Sequence, residues 1–405
     1  MRGLICGAIA GLALALPTIA QERPLVGGPP PMPEETFHMD PEGYAVEDYV
    51  TGLDGIWDIV FLPDGAALIS ERPGRIRYVS PDGVLQDGPW VAPEIVDGDE
   101  NGGGMMGLAV HPDFPQQPYV YAMYSGHVLG GRANRVVRFR HEGTHGVDEE
   151  VIVDMLPAGN THFGGRIDFG PDGMLYVTQG DTGQRSSAQT IRDMRGTIMR
   201  FTPEGEIPED NPWLHSPVWS MGMRNTAGLS WHPETGALFA ADHGPSGEWR
   251  DPLIGARDEV NIIRKGGNYG WPAVVGAPGL DDYDDPILMW EKAPLPPGDL
   301  VFYDGDLMPE LKGDLFLATL RTETLMRIRF DDQDDPHKPT GLERWFTDRD
   351  LGETPLGEGP SHYGRLRAVT VGPDGAIYFG TTNRDRGRGT IRENDDRVLR
   401  IIPAR

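Results

Sequence analysis

The stretch Ile59-Val60-Phe61-Leu62-Pro63-Asp64-Gly65-Ala66-Ala67-Leu68-Ile69-Ser70 decides the fold. Short apolar runs flank a Pro-Asp-Gly turn, and Arg75-Ile76-Arg77-Tyr78-Val79 follows as a third short run. Proline presets φ at the second turn position and glycine supplies positive φ, so the pattern reads as a β-hairpin with a further strand. Working outward, the chain repeats it. Leu108-Ala109-Val110 meets His111-Pro112-Asp113 and closes at Arg135-Val136-Val137-Arg138-Phe139. Ile167-Asp168-Phe169 meets Pro171-Asp172-Gly173 and Met174-Leu175-Tyr176-Val177, closing at Ile198-Met199-Arg200-Phe201. Leu229-Ser230-Trp231 meets His232-Pro233-Glu234 and Ala237-Leu238-Phe239-Ala240. Leu300-Val301-Phe302-Tyr303 precedes Gly313-Asp314-Leu315-Phe316-Leu317 and Leu325-Met326-Arg327-Ile328. Val369-Thr370-Val371 meets Pro373-Asp374-Gly375, then Ala376-Ile377-Tyr378-Phe379 and Arg397-Val398-Leu399-Arg400-Ile401.

Six such copies predict an all-β, six-bladed β-propeller over residues 46–405. A two-sheet sandwich is the competing architecture. The copies lie further apart than a minimal blade requires, so the surplus is expected as long loops on the face carrying the site, the longest over 242–299. Residues 21–45 are Pro-rich and read as a flexible or extended lead-in.

Residues 1–20 have the form of a cleaved signal peptide. Arg2 is followed by an apolar run from Leu4 to Leu16, which Pro17 ends, and Thr18-Ile19-Ala20 is a small-residue cleavage signal. About 13 apolar residues are too few to span a bilayer, so no membrane insertion is expected after cleavage. The implied location is periplasmic or secreted. Cys6, the one cysteine, falls within the leader, which rules out disulfides and thiol catalysis in the mature chain. A net charge of −26 argues against a nucleic-acid partner.

Four segments could carry chemistry. Asn160-Thr161-His162-Phe163-Gly164-Gly165-Arg166 sets an imidazole, a natural general base, beside glycines that permit close approach of a ligand. Met223-Arg224-Asn225-Thr226 enters the fourth copy with a guanidinium able to grip a carboxylate. Asp242-His243-Gly244-Pro245 offers turn carbonyls suited to a hard cation. Tyr363-Gly364-Arg365-Leu366-Arg367 puts two arginines on one strand face, suggesting an anionic ligand. Each alone has an ordinary structural alternative: a turn histidine, a salt bridge, a plain turn.

Taken in order with Gly180-Asp181-Thr182-Gly183, Asp258-Glu259-Val260-Asn261 and Asn268-Tyr269-Gly270-Trp271-Pro272, these segments resemble the soluble aldose and glucose dehydrogenases that use pyrroloquinoline quinone (PQQ). The resemblance implies an exported oxidoreductase that oxidises the C1 hydroxyl of an aldose to a lactone and passes electrons to a periplasmic acceptor. It implies His162 as catalytic base, and Arg224 and Asn225 at quinone and substrate. It implies Arg365, Arg367 and Arg321 on PQQ, Gly244 and Pro245 as carbonyl ligands of Ca2+, and Glu259 and Tyr269 at a second Ca2+. The sequence departs from the family at Asn101-Gly102-Gly103-Gly104, which lacks a glutamine, at Thr161, which replaces an acid, and in an insertion at 249–257. A calcium-dependent propeller hydrolase, such as a lactonase, and a non-catalytic binding propeller stay open as alternatives on the same fold.

Overall fold

The computed structural model describes residues 24–96, 103–246, 255–332, 335–350 and 361–405. The leader expected over residues 1–20, Asn101, Gly102 and most of the 249–257 stretch read as an insertion lie outside the described residues.

Six antiparallel sheets surround a central axis, as the repeats predict, and the sandwich is excluded. Blade one is Ile56–Phe61, Ala67–Glu71, Arg75–Val79 and Leu85–Val91. Blade two is Met105–Val110, Tyr119–Val128, Gly131–Glu142 and His145–Leu156, and blade three Ile167–Phe169, Leu175–Gln179, Thr197–Phe201 and Val218–Met221. Blade four is Thr226–Trp231, Leu238–Asp242, Asp258–Ile263 and Leu288–Trp290. Blade five is Pro297–Phe302, Leu315–Thr319, Leu325–Arg329 and Gly341–Trp345, and blade six opens with Leu366–Val371, Ile377–Thr381 and Val398–Pro403. Its fourth, outermost strand is Tyr44–Val50 from the other end of the chain, antiparallel to Val398–Pro403. This exchange closes the ring.

The turn chemistry is the one the Pro-Asp-Gly signal implies. The side chains of Asp64, Asp172 and Asp374 each accept the N–H two residues on, at 3.0–3.1 Å, and the following glycines take φ of +91°, +71° and +79°. Asp172 and Asp374 also accept from Tyr176 and Tyr378 on the next strand, so each turn is tied to its blade. Neighbouring blades bury a separate apolar cluster at every junction. Examples are Leu68, Trp90 and Phe139 between blades one and two, and Phe316, Phe379 and Leu399 between five and six. Ile69, Val79 and Tyr378 seal six against one. Apolar faces on both sides of each sheet are therefore removed from water, the dominant stabilising term.

Two expectations change. The stretch 242–299 is not one long loop: it supplies the third and fourth strands of blade four, and its Val274–Val275 pairs in parallel with Leu25–Val26. The lead-in is extended but not detached. Glu35–His38 adds a fifth, parallel strand to blade five, and the boundary at 46 falls inside Tyr44–Val50.

At the axis, inner strands begin with a bulge in five of the six blades. Arg166 spans the ring, reaching Asp58 of blade one at 2.5 Å, Asp299 of blade five at 3.1 Å and the Ala227 carbonyl of blade four at 3.1 Å. Beside it, burial and the nearby Asp58 charge raise the carboxyl of Asp168 from 3.8 to about 7. Between those values the unfolded chain releases a proton that the folded chain retains, so stability is lost as pH rises. Asp168→Asn is accordingly expected to raise Tm relative to the parent at pH 8 and to change it little at pH 4. Thermal melts at the two values check this.

Candidate active site

One cavity of about 680 Å³ opens over the axis, and all six blades contribute to its lining. Trp57 and Arg72 come from blade one, Met106 from two, and the 160–164 loop from the crossing into three. Arg224, Asn225, Ala227 and His243 come from blade four, Pro296, Leu320 and Arg321 from five, and Arg365, Arg367, Arg386 and Arg388 from six.

His162 sits on the wall at φ +52°, a left-handed position that loop packing must enforce. Its Nδ1 meets Oδ1 of Asp181 at 2.6 Å. Asp181 is fully buried, and its carboxylate also accepts from the Trp271 indole N–H at 2.8 Å and the Gly183 N–H at 2.7 Å. Burial alone would push that carboxyl up; the His162 contact, aided by the other two donors, outweighs it and holds the group below its ordinary value. Asp181 therefore stays anionic, orients the ring through Nδ1 and leaves Nε2 as the atom available for proton transfer. Asn225 fixes the same loop by accepting the Gly164 N–H at 3.0 Å. Gly180 passes directly beneath: a Cβ there would lie 2.2 Å from the His162 carbonyl oxygen and 2.9 Å from Oδ1 of Asn225. Gly180→Ala is thus expected to displace the His162 loop and cut kcat by roughly tenfold or more while the chain still folds, since an ångström of misplacement costs that much. Steady-state kinetics beside a circular dichroism melt distinguishes displacement from unfolding.

Arg224 and Asn225 hang from Asp242, whose carboxylate accepts both backbone N–H groups at 3.0 and 2.9 Å; the Arg224 guanidinium reaches the His243 carbonyl at 3.1 Å. Arg365 and Arg367 both line the cavity, but not as simple strand alternation. The strand starts at Leu366, Arg365 is fixed by Asn383 accepting its N–H at 2.9 Å, and Arg367 is the bulged residue between paired Leu366 and Ala368. Arg321 lines the same wall, half-buried.

Sequence reasoning missed Arg72, Asp385, Arg386, Arg388 and the role of Asp181. Arg72 is buried and lies 2.7 Å from Asp385, which also stands 3.6 Å from Arg367 and 3.4 Å from Arg386. One carboxylate thus faces several guanidiniums. Burial lowers the pKa of Arg72 and of Arg365 to about 10; burial, then the neighbouring Arg72 charge, lowers that of Arg367. The Nε atoms of Arg365 and Arg367 and one oxygen of Asp385 have no hydrogen-bond partner among the described residues. Buried cations short of counter-charge are costly unless a ligand supplies it. A flat polycarboxylate such as PQQ fits this wall.

Gly244 and Pro245 are buried between lining residues His243 and Ser246 and do not themselves line the cavity. A Cβ on Gly244 would lie 1.6 Å from the Arg257 carbonyl oxygen, and the Pro245 carbonyl accepts the Arg257 N–H at 3.0 Å. Nearby Asp258 is fully buried; one of its oxygens accepts the Leu295 N–H at 2.7 Å and the other has no hydrogen-bond partner among the described residues. Oxygen donors of this kind fit a hard divalent cation. The side chains of Glu259 and Tyr269 turn to different partners. Glu259 faces Asn261, and burial together with Asp242 raises it to about 8; the Tyr269 hydroxyl donates to the Ile262 carbonyl at 2.7 Å and accepts the Arg264 N–H at 2.8 Å.

Fold and site together define a six-bladed propeller whose axial cavity pairs an oriented imidazole with clustered guanidiniums. Residues 53–391 match the glucose/sorbosone dehydrogenase family, and the chain belongs to it. It is 29% identical to aldose sugar dehydrogenase YliI of Escherichia coli over 80% of this chain and 86% of that protein. The PQQ-bound aldose sugar dehydrogenase of Streptomyces coelicolor superposes with a TM-score of 0.71 at 31% identity, over 89% of this chain and 99% of that one. A Thermus thermophilus protein provisionally named an oxidoreductase (glucose dehydrogenase) gives a TM-score of 0.76 at 43% identity, over 89% of this chain and all of the other.

Proposed function

We propose that the protein is an exported, PQQ-dependent dehydrogenase that oxidises the C1 hydroxyl of an aldose to the lactone and hands the electrons to a periplasmic acceptor. The observation that carries this reading is a single cavity lined by His162, which Asp181 backs at 2.6 Å, and by the buried Arg365 and Arg367, whose Nε atoms have no hydrogen-bond partner among the described residues. Arg365, Arg367 and Arg321, joined by Arg72, would hold the carboxylates of PQQ. Asn225 would meet quinone and substrate while it anchors the His162 loop. Gly244 and Pro245 would supply carbonyls to Ca2+, joined by Asp258; a second Ca2+ at Glu259 and Tyr269 would have to replace the partners that their side chains now hold. When bound, PQQ supplies a two-electron acceptor and Ca2+ a Lewis acid that no side chain of the chain provides.

The residues then divide the work. His162 takes the proton of the C1 hydroxyl at Nε2, and Asp181 stabilises the imidazolium that results. Arg224, on the same cavity wall, would balance negative charge on the substrate oxygen. Export is supported by the 1–20 leader, and no helix among the described residues is long and apolar enough to cross a membrane. The test is to reconstitute purified apoprotein with PQQ and Ca2+ and follow dye reduction across a panel of aldoses. Reduction that requires both additions supports the reading. Lactone hydrolysis by the calcium form without quinone, and no dye reduction, would replace it with the hydrolase.

A further inference from the structure

We propose that the preferred sugar carries its own anionic group, as a uronic acid or a sugar phosphate does. This rests on the reading of the cavity as a PQQ site and names the substrate class for it. Eight cationic side chains line the cavity, and among the described residues no Asp or Glu does. The whole chain carries a charge of −26, so this concentration runs against its composition.

The cations form two tiers. Arg72, Arg224, Arg365 and Arg367 are buried. Lys292 and Arg388 are exposed, and Arg321 and Arg386 are half-buried. PQQ brings three carboxylates, and Asp385 adds one that Arg72, Arg367 and Arg386 share. That charge matches the buried tier. Arg321 and Arg388 have interactions of their own. Arg386 shares Asp385 with Arg72 and Arg367, so one carboxylate faces three guanidiniums, and Lys292 adds a further cation to the outer tier: Glu291, the acid next to it in the chain, lies 3.8 Å from Arg257 instead. Arg386 is held at φ +51°, a left-handed conformation costly for arginine, between Asp385 and Gly387. Strain of this kind points to a placed side chain.

Lysine and arginine only donate hydrogen bonds. A neutral hexose offers hydroxyls that must donate as well as accept, so a donor-rich wall matches it poorly. A carboxylate or phosphate accepts from such a wall throughout, and guanidinium forks match both. The acidic exterior repels anions at range, but screening confines that to about 8 Å at physiological salt, and inside the cavity the local cations govern.

The test uses holoenzyme loaded with PQQ and Ca2+, with uptake of PQQ followed separately by absorbance. kcat/KM is measured for D-glucuronate, D-glucose 6-phosphate and D-glucose, in the parent and in a Lys292→Ala/Arg386→Ala variant. At low salt an anionic sugar is expected to exceed glucose by roughly tenfold, with the margin shrinking as salt rises. The double variant is expected to reduce the anionic-to-neutral ratio by roughly tenfold, and to weaken binding of the anionic sugar in calorimetry. Which anion wins distinguishes carboxylate from phosphate. Glucose equal to or better than both, or a ratio unmoved by the substitutions, overturns the proposal. Failure to take up PQQ at all would instead sink the reading beneath it, and the proposal with it.

Discussion

His162→Ala is expected to lower kcat by about 10²–10⁴-fold while PQQ is retained, because a positioned general base contributes that range. The arginines proposed to hold PQQ come from blades one, five and six, whereas the 160–164 loop leads into blade three. Loss of the imidazole therefore removes proton acceptance without removing the clamp. Asp181→Asn is the informative control. It keeps shape and the contact with Trp271 but no longer holds an anion 2.6 Å from Nδ1, so the pH profile of kcat/KM should shift along with the rate. A His162→Ala enzyme with near-parental kcat would remove this histidine from the chemistry.

Arg367→Ala should weaken PQQ binding by roughly 30- to 4,000-fold, since truncating one partner of a buried charge pair costs about 2–5 kcal/mol. Arg367 is buried, and its nearest carboxylate, Asp385 at 3.6 Å, is already shared with Arg72. In the variant Asp385 keeps Arg72, so the apoprotein should fold with little loss and the deficit should appear in cofactor affinity. Fluorescence titration with PQQ measures it directly. An unchanged dissociation constant would remove Arg367 from the clamp.

How much of this was legible in the sequence follows from which contacts are local. The hairpins at Pro63-Asp64-Gly65, Pro171-Asp172-Gly173 and Pro373-Asp374-Gly375 are set by side chains bonding two residues on, and they could be read directly. The outer strands could not. His145–Leu156 alternates weakly because its edge faces water, and Leu288–Trp290 is only three residues long. The Tyr44–Val50 closure joins residues about 350 positions apart, beyond any local pattern. Arg365 and Arg367 were visible as a pair, whereas Arg72 was not. Its partner Asp385 comes from another blade, and nothing in Ser70-Glu71-Arg72-Pro73-Gly74 marks it. Asp181 stood within a quoted motif, but its pairing with His162 depends on a loop folding back over Gly180.

The most direct measurement is the stoichiometry of PQQ uptake by purified apoprotein in the presence of Ca2+, followed by absorbance after gel filtration. One equivalent retained per chain, and released when the guanidiniums of Arg365 and Arg367 are both removed, is the result the account requires. Saturable uptake that ignores those two arginines, or none, would contradict it.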